Sequence, residues 1–173
     1  MAKKRRLLHA FEVEAELRGA TPEEVLQKLD RYQSIGLVKL VDSQVDFNAQ
    51  AAIDILRLRG DIAILAEGVA SKAISTRSGR LRALRALHSF GNNCPAAREA
   101  YLAAINDSSS DVVAQALLGL ACLQDDSVVA RLKEERDKLW SYERRTAQRF
   151  ERAIQALEQK DPRVYEPNLP DAT

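Results

Sequence analysis

The chain has 173 residues, 46% of them hydrophobic and 29% charged, so it can bury a core and is too apolar to be an intrinsically disordered protein. Its 26 basic and 25 acidic residues nearly cancel, which excludes a whole-protein field that would draw it to nucleic acid or an anionic membrane. Aromatic residues are only 5%, and glycine and proline are few, so composition predicts an all-α fold of closely packed helices.

The first residues resemble the charged end of a secretion signal, since Lys3 to Arg6 are all basic. The apolar stretch from Leu7 to Phe11 is too short for such a signal and runs directly into Glu12. No apolar run approaches the ~20 residues that a membrane span requires. We therefore expect no membrane association and a cytoplasmic location.

Residues 1–48 are predicted to form an N-terminal cap region around one helix. The run from Thr21 to Glu24 is a capping box with proline at the first helical position, and the helix should end near Gly36. Residues 11–17 alternate between apolar and polar, whereas residues 37–47 are rich in β-branched side chains. Both segments fit either strands or irregular helices, and a short β-hairpin near residues 37–47, resembling the end of a winged helix, is the open alternative.

Residues 49–160 carry an internal repeat with a period of 31 to 33 residues. Alanine and apolar positions recur in three segments, and each segment ends in a turn that starts a second helix, at Asp61, Pro95 and Asp126. The recurring residues are Ala52, Ile53, Leu56 and Gly60, then Ala83, Leu84, Leu87 and Gly91, then Ala116, Leu117, Leu120 and Gln124. The repeat predicts successive pairs of helices.

This pattern, with its Gly60-Asp61 turn, resembles the HEAT-like repeats of the phycobilisome-lyase type over about residues 49 to 135. The resemblance implies a right-handed α-solenoid of stacked antiparallel helix pairs. The arginine that such repeats often place early in the first helix is matched by Arg80, whereas the position one unit later is Val113. Because this architecture hosts many unrelated functions, the resemblance implies no particular one.

The last predicted elements close the stack. The helix from Asp111 to Leu123 is apolar on almost every side, which predicts a buried position in the middle of the stack. The helix over residues 141–160 has a single apolar stripe, as a terminal capping helix requires. Residues 161–173 contain three prolines and are predicted to form an extended tail.

Catalytic patterns do not occur in the sequence. We find no nucleophile with a base, no paired carboxylates, no phosphate loop and no metal-ligand spacing, so we expect no enzyme activity, no cofactor and no metal. Cys94 and Cys122 are interpreted as reduced core residues, and His88 as a structural histidine.

The candidate partner-binding residues are arginines and aromatics. Arg145, Arg149 and Arg152 share one face of the last helix, and none has an acidic residue three or four places away. The plain interpretation is a solvated face or contact with acids on a neighbouring helix. The functional interpretation is a patch that grips a partner's carboxylates or phosphates.

A second pair, Arg82 and Arg85, is expected to be exposed on the middle of the repeat, with solubility as the plain interpretation. Trp140 and Tyr142 precede the arginine face, and tryptophan, tyrosine and arginine are the residues in which interface energy concentrates. Core or hinge packing is the alternative use for the two aromatics.

These residues favour a non-enzymatic protein-binding scaffold, either an adaptor or an inhibitor, whose partner is another protein with an acidic surface. A toxin-neutralising immunity protein is one form that such an inhibitor takes. Nucleic-acid binding through the arginine faces is the alternative, and the near-neutral net charge argues against it.

Overall fold

The computed structural model describes residues 17–90, 94–141 and 143–165. Within these ranges, every secondary-structure element longer than one residue is a helix. The all-α prediction is therefore confirmed. The α-helices are α1 Pro22–Leu29, α2 Ser34–Leu40, α3 Asp46–Leu58, α4 Ile62–Ala70, α5 Arg77–Ser89, α6 Pro95–Ala104, α7 Ser110–Leu123, α8 Val129–Asp137 and α9 Arg144–Glu158. Short 3₁₀ helices span Asp126–Val128 and Pro162–Val164.

The helices contact one another in two rows. In one row α3, α5, α7 and α9 each contact the next, and in the other α2, α4 and α6 do the same. Chain neighbours α4 and α5, and α6 and α7, join the rows, while α8 packs on α9 and α1 packs on α3. Alternate helices along the chain therefore lie side by side.

The first helix is shorter than the sequence predicts. Its capping box is present, because the Thr21 amide donates to Glu24 Oε2 at 2.9 Å and the Glu24 amide donates to Thr21 Oγ1 at 3.4 Å. The helix ends at Leu29 rather than near Gly36, and Gly36 lies inside the separate helix α2. The proline at the start of α6, Pro95, is also at its predicted first position.

Residues 37–47 do not form a hairpin, since they lie in α2, the following turn and the start of α3. Leu40 and Val41 lie three and four residues after Leu37, as on one face of a helix, and all three are buried. This helical spacing outweighs the β-branched composition that suggested strands. The alternating segment is outside the described residues except for Leu17, which is buried.

One hydrophobic core runs from Leu17 to Tyr165. Helix α7 is buried on nearly every side, as predicted, and its Gly119 packs against the ring of Tyr101. The predicted extended tail is wrong for residues 161–165, because Tyr165 is buried and its hydroxyl donates to the Ala114 carbonyl at 2.9 Å. The rest of that segment lies outside the described residues.

Candidate functional site

Arg82 is held inside the structure, so its predicted exposure is wrong. Its guanidinium donates to the carbonyl oxygens of Val41 and Ser43, both at 3.1 Å, and pairs with the carboxylate of Asp46. The side chain is 18% exposed. These contacts fasten the turn between α2 and α3 onto α5. The sequence could not show them because the carbonyl acceptors lie about 40 positions away.

Arg85 differs from Arg82 although the two are one turn apart. It lies exposed on α5 and makes no hydrogen bond or ion pair with any described residue. The two arginines therefore do not form one exposed pair. Arg82 makes contacts within the fold, whereas Arg85 is the member of the pair that is exposed to solvent.

The arginine face of α9 divides along its length. Arg145 is exposed, whereas Arg149 and Arg152 are half-buried. Arg149 donates to the Ser110 carbonyl at 2.8 Å and so ties α9 to the start of α7. Burial raises the pKa of the Tyr165 phenol, and the nearby charges of Arg149 and Arg152 oppose that rise. The inner part of this face therefore lies near Tyr165.

Trp140 lies in the connection between α8 and α9, where its side chain is 70% exposed. Its backbone amide donates to Glu143 Oε2 at 2.8 Å, which holds the start of α9. Tyr142, its predicted companion, lies outside the described residues. The structure therefore shows one exposed aromatic near the arginine face.

Many other arginines are paired with acidic residues at joints between helices. In four such pairs the shortest N–O distance is 2.6 to 3.0 Å. The pairs of Arg59, Arg80 and Arg98 link residues 27 to 29 positions apart. The pairs are Arg59 with Asp30, Arg80 with Asp107, Arg98 with Asp125, and Arg136 with Glu151. Such pairing reduces the basic surface left for an anionic partner.

Asp125 illustrates how these joints are built. Its carboxylate accepts from the Ser127 hydroxyl at 2.6 Å and from Arg98 Nε at 2.7 Å. The Ser127 and Arg98 hydrogen bonds hold the pKa of this carboxyl below its usual value. The positive charge of Arg98 is therefore paired with an acidic residue of the same chain.

An open groove of about 460 Å³ lies between the segment before α1 and the start of α3. Its apolar lining includes Val25, Val45 and Phe47, and the last two are 53% and 45% exposed. Arg18 also lines the groove, is exposed, and has no ion pair with a described residue. Among the described residues, the groove therefore combines exposed apolar side chains with one arginine that has no ion pair there.

Sequence reasoning missed this groove because it left Val45 and Phe47 open between a strand and an irregular helix. The signal was present in the helical period: Phe47 lies two residues before the buried Ala49 and six before the buried Ile53, on the opposite side of α3. Leu17 to Ala20, which form the other wall, adjoin residues that the structure does not describe.

The structure also bears on metal binding and on membrane insertion. Among residues 17–90, 94–141 and 143–165, no three histidine, cysteine or acidic side chains cluster as metal ligands would. Within the same residues, the helices are too short or too polar to cross a membrane.

The chain was also compared with protein-family models, with curated proteins and with solved structures, and none of the three comparisons finds a match.

Proposed function

We propose that this protein is a non-enzymatic protein-binding scaffold, an adaptor or inhibitor of another protein, built as a short right-handed HEAT-like solenoid. The two rows of helices and the period of 31 to 33 residues support that architecture. A cytoplasmic location is part of the proposal. A toxin-neutralising immunity protein would be one inhibitor of this kind.

The observation that carries the proposal is the apolar groove beside α3. A soluble protein leaves large apolar side chains uncovered in a concave surface at a cost, and such surfaces commonly mark binding sites. Val45 and Phe47 would be anchors for apolar side chains of the partner. Arg18 would pair with a carboxylate beside them, which agrees with a partner that has an acidic surface.

Nucleic-acid binding is supported less well. Five of the arginines described above, Arg59, Arg80, Arg82, Arg98 and Arg136, already pair with acidic residues of the same chain. Phosphate binding would have to break these pairs or rely on the remaining cations. Arg85 and Arg145 are both exposed and would be secondary contacts for a protein partner.

The experiment is affinity capture with three baits, each tested on untreated and on nuclease-treated extract. They are the unaltered protein, Val45→Glu, and Gln44→Glu as a matched control that adds the same charge at the neighbouring exposed residue. We expect one protein to be retained by the unaltered bait and by Gln44→Glu, and reduced at least about tenfold by Val45→Glu.

Two results would overturn the proposal. One is capture of nucleic acid that nuclease abolishes and that weakens steeply with salt. The other is a protein that Val45→Glu retains as well as the unaltered bait does, because the groove would then play no part in binding.

A further inference from the structure

The outer face of α3 carries apolar side chains at both ends. Phe47, Gln50, Asp54 and Leu58 are separated by three, four and four residues, which places them on one side of the helix. Phe47 is 45% exposed and Leu58 is 83% exposed, the highest value among the large exposed apolar residues of the described chain. In chain order, the four residues of this face are therefore apolar, polar, polar and apolar, over about 16 Å of helix length.

The repeat supplies an internal comparison for this face. Moving 31 residues along the chain takes Phe47 to Ser78 and Leu58 to Ser89 on the outer face of α5, and both serines are exposed. The same shift aligns the buried Ile53 and Leu56 with Leu84 and Leu87. The stack thus accepts small polar residues at these outer positions, so Phe47 and Leu58 are not needed for its packing.

The order of residues on this face is nearly the same in both directions. When two copies of α3 lie antiparallel, Phe47 of one copy faces Leu58 of the second copy, and Gln50 faces Asp54. A two-fold axis through the middle of the face produces both pairings at once, as an isologous contact requires. A parallel arrangement would instead place Asp54 against Asp54 and lose this match.

The polar centre of the face can be satisfied in the antiparallel arrangement. Within one chain, the Gln50 side-chain amide donates to Asp54 Oδ1 at 3.0 Å. An amide group has two N–H donors and a carboxylate has several acceptor sites, so the second donor can reach Asp54 of the second copy. Each copy then contributes one bond across the axis, and no carboxylate faces another.

We infer that the protein self-associates as a two-fold symmetric dimer in which α3 of one copy packs antiparallel on α3 of a second copy. A contact between single helices of this length falls among the small interfaces, below roughly 1,200 Å², that form weak and transient pairs. The dimer should therefore appear in a concentration-dependent way. Phe47 also lines the groove, so the tests of the dimer below use substitutions at other residues.

The test is sedimentation equilibrium of the full chain over a concentration range from about 1 µM to about 1 mM. Leu58→Ser places in α3 the residue that α5 carries at the equivalent position, and it should weaken association at least about tenfold, since each dimer loses the side chain twice. Trp140→Ser is the matched control, because it removes a more bulky exposed side chain elsewhere and should leave association unchanged. Circular dichroism verifies that each variant is folded.

The antiparallel register has its own test. Gln50→Glu gives an acidic face, and the double variant Gln50→Lys, Asp54→Lys gives a basic face. Each should associate at least about tenfold more weakly than the unaltered chain, because like charges meet across the axis, and an equal mixture should associate more tightly than either alone.

Three results would overturn the inference: a monomer throughout the concentration range, association that Leu58→Ser leaves intact, or a mixture no tighter than its components. None of these substitutions touches Val45 or Arg18, so failure here and failure of the groove proposal are separate outcomes.

Discussion

Gly119 is a residue whose identity the packing restricts tightly. A Cβ atom built at this position would lie 2.3 Å from two ring carbons of Tyr101, and Tyr101 itself is only 1% exposed. The ring belongs to the continuous core, and core side chains are closely packed, so moving it would disturb its neighbours. Helix α7 can approach α6 this closely only because residue 119 has no side chain.

Replacing Gly119 with alanine should therefore destabilise the protein, although alanine is the better helix former by about 1 kcal/mol. We expect a net loss of about 2 kcal/mol in the free energy of unfolding, from overpacking against the ring of Tyr101. Urea denaturation measures it, with Gln148→Ala, at an exposed position of α9, as the control that should change little. Equal stability of Gly119→Ala and the unaltered protein would show that the ring can shift.

At the scale of the elements, arginine contacts join helices and turns that are not consecutive in the chain. Arg82 connects α5 to the turn before α3, and Arg149 connects α9 to the start of α7. Arg59 reaches the carbonyl oxygens of Asp30 and Tyr32 at 2.8 and 2.9 Å. In each case a guanidinium donates to a backbone carbonyl in a turn or near a helix end.

Arg82→Ala should cost about 1 to 3 kcal/mol, because it removes the hydrogen bonds that the Arg82 guanidinium donates to the carbonyl oxygens of Val41 and Ser43. Arg85→Ala is the matched control on the same helix and should fall within about 0.5 kcal/mol of the unaltered protein. Hydrogen exchange should show that the loss is centred on the turn between α2 and α3. If the two variants were equally stable, the Arg82 contacts would be of no consequence to the fold.

Local sequence signals predicted the elements that depend on local chemistry. The capping box at Thr21, the proline at the start of α6 and the all-round apolar pattern of α7 each identified their helix correctly. The signals failed where long-range burial decides the outcome, as for Leu37 and Leu40, whose β-branched neighbours suggested strands. Local patterns compete with tertiary packing, and packing prevails.

The candidate site was harder to predict than the fold, for the same reason. Arg82 looked exposed because its acceptors are backbone carbonyls about 40 residues earlier. The groove depends on the placement of Val45 and Phe47 against the segment before α1, and no spacing along the chain encodes that contact. A sequence identifies which residues are unusual, whereas the structure identifies which of them are already partnered.

At the scale of the whole molecule, two buried tyrosines make the stability of the folded protein depend on pH in the alkaline range. Burial raises the pKa of Tyr101, with smaller contributions from the nearby thiols of Cys122 and Cys94, and burial likewise raises the pKa of Tyr165. Both lie in the same core cluster. Neither phenol can ionise freely while the molecule stays folded.

The stability of the protein should therefore fall at high pH. An unfolded tyrosine ionises near pH 10, so the unfolded chain releases protons above that pH that the folded chain retains. The contribution of the two phenols is complete below about pH 10 and is lost as the pH rises towards their raised values. Denaturant midpoints measured from about pH 8 to about pH 11 should fall more steeply for the unaltered protein than for Tyr101→Phe, Tyr165→Phe. Parallel curves would contradict the prediction.

The hydroxyl of Tyr165 reaches back 51 residues to the carbonyl of Ala114, whereas the main helix contacts join elements one or two places apart along the chain. This difference implies an order of assembly during synthesis. Helices α3 to α7 hold each other through contacts that are available as soon as α7 leaves the ribosome, and folding can begin there. The bond from Tyr165 to Ala114 is made by the last of the described residues to emerge, so it closes a stack that has already formed.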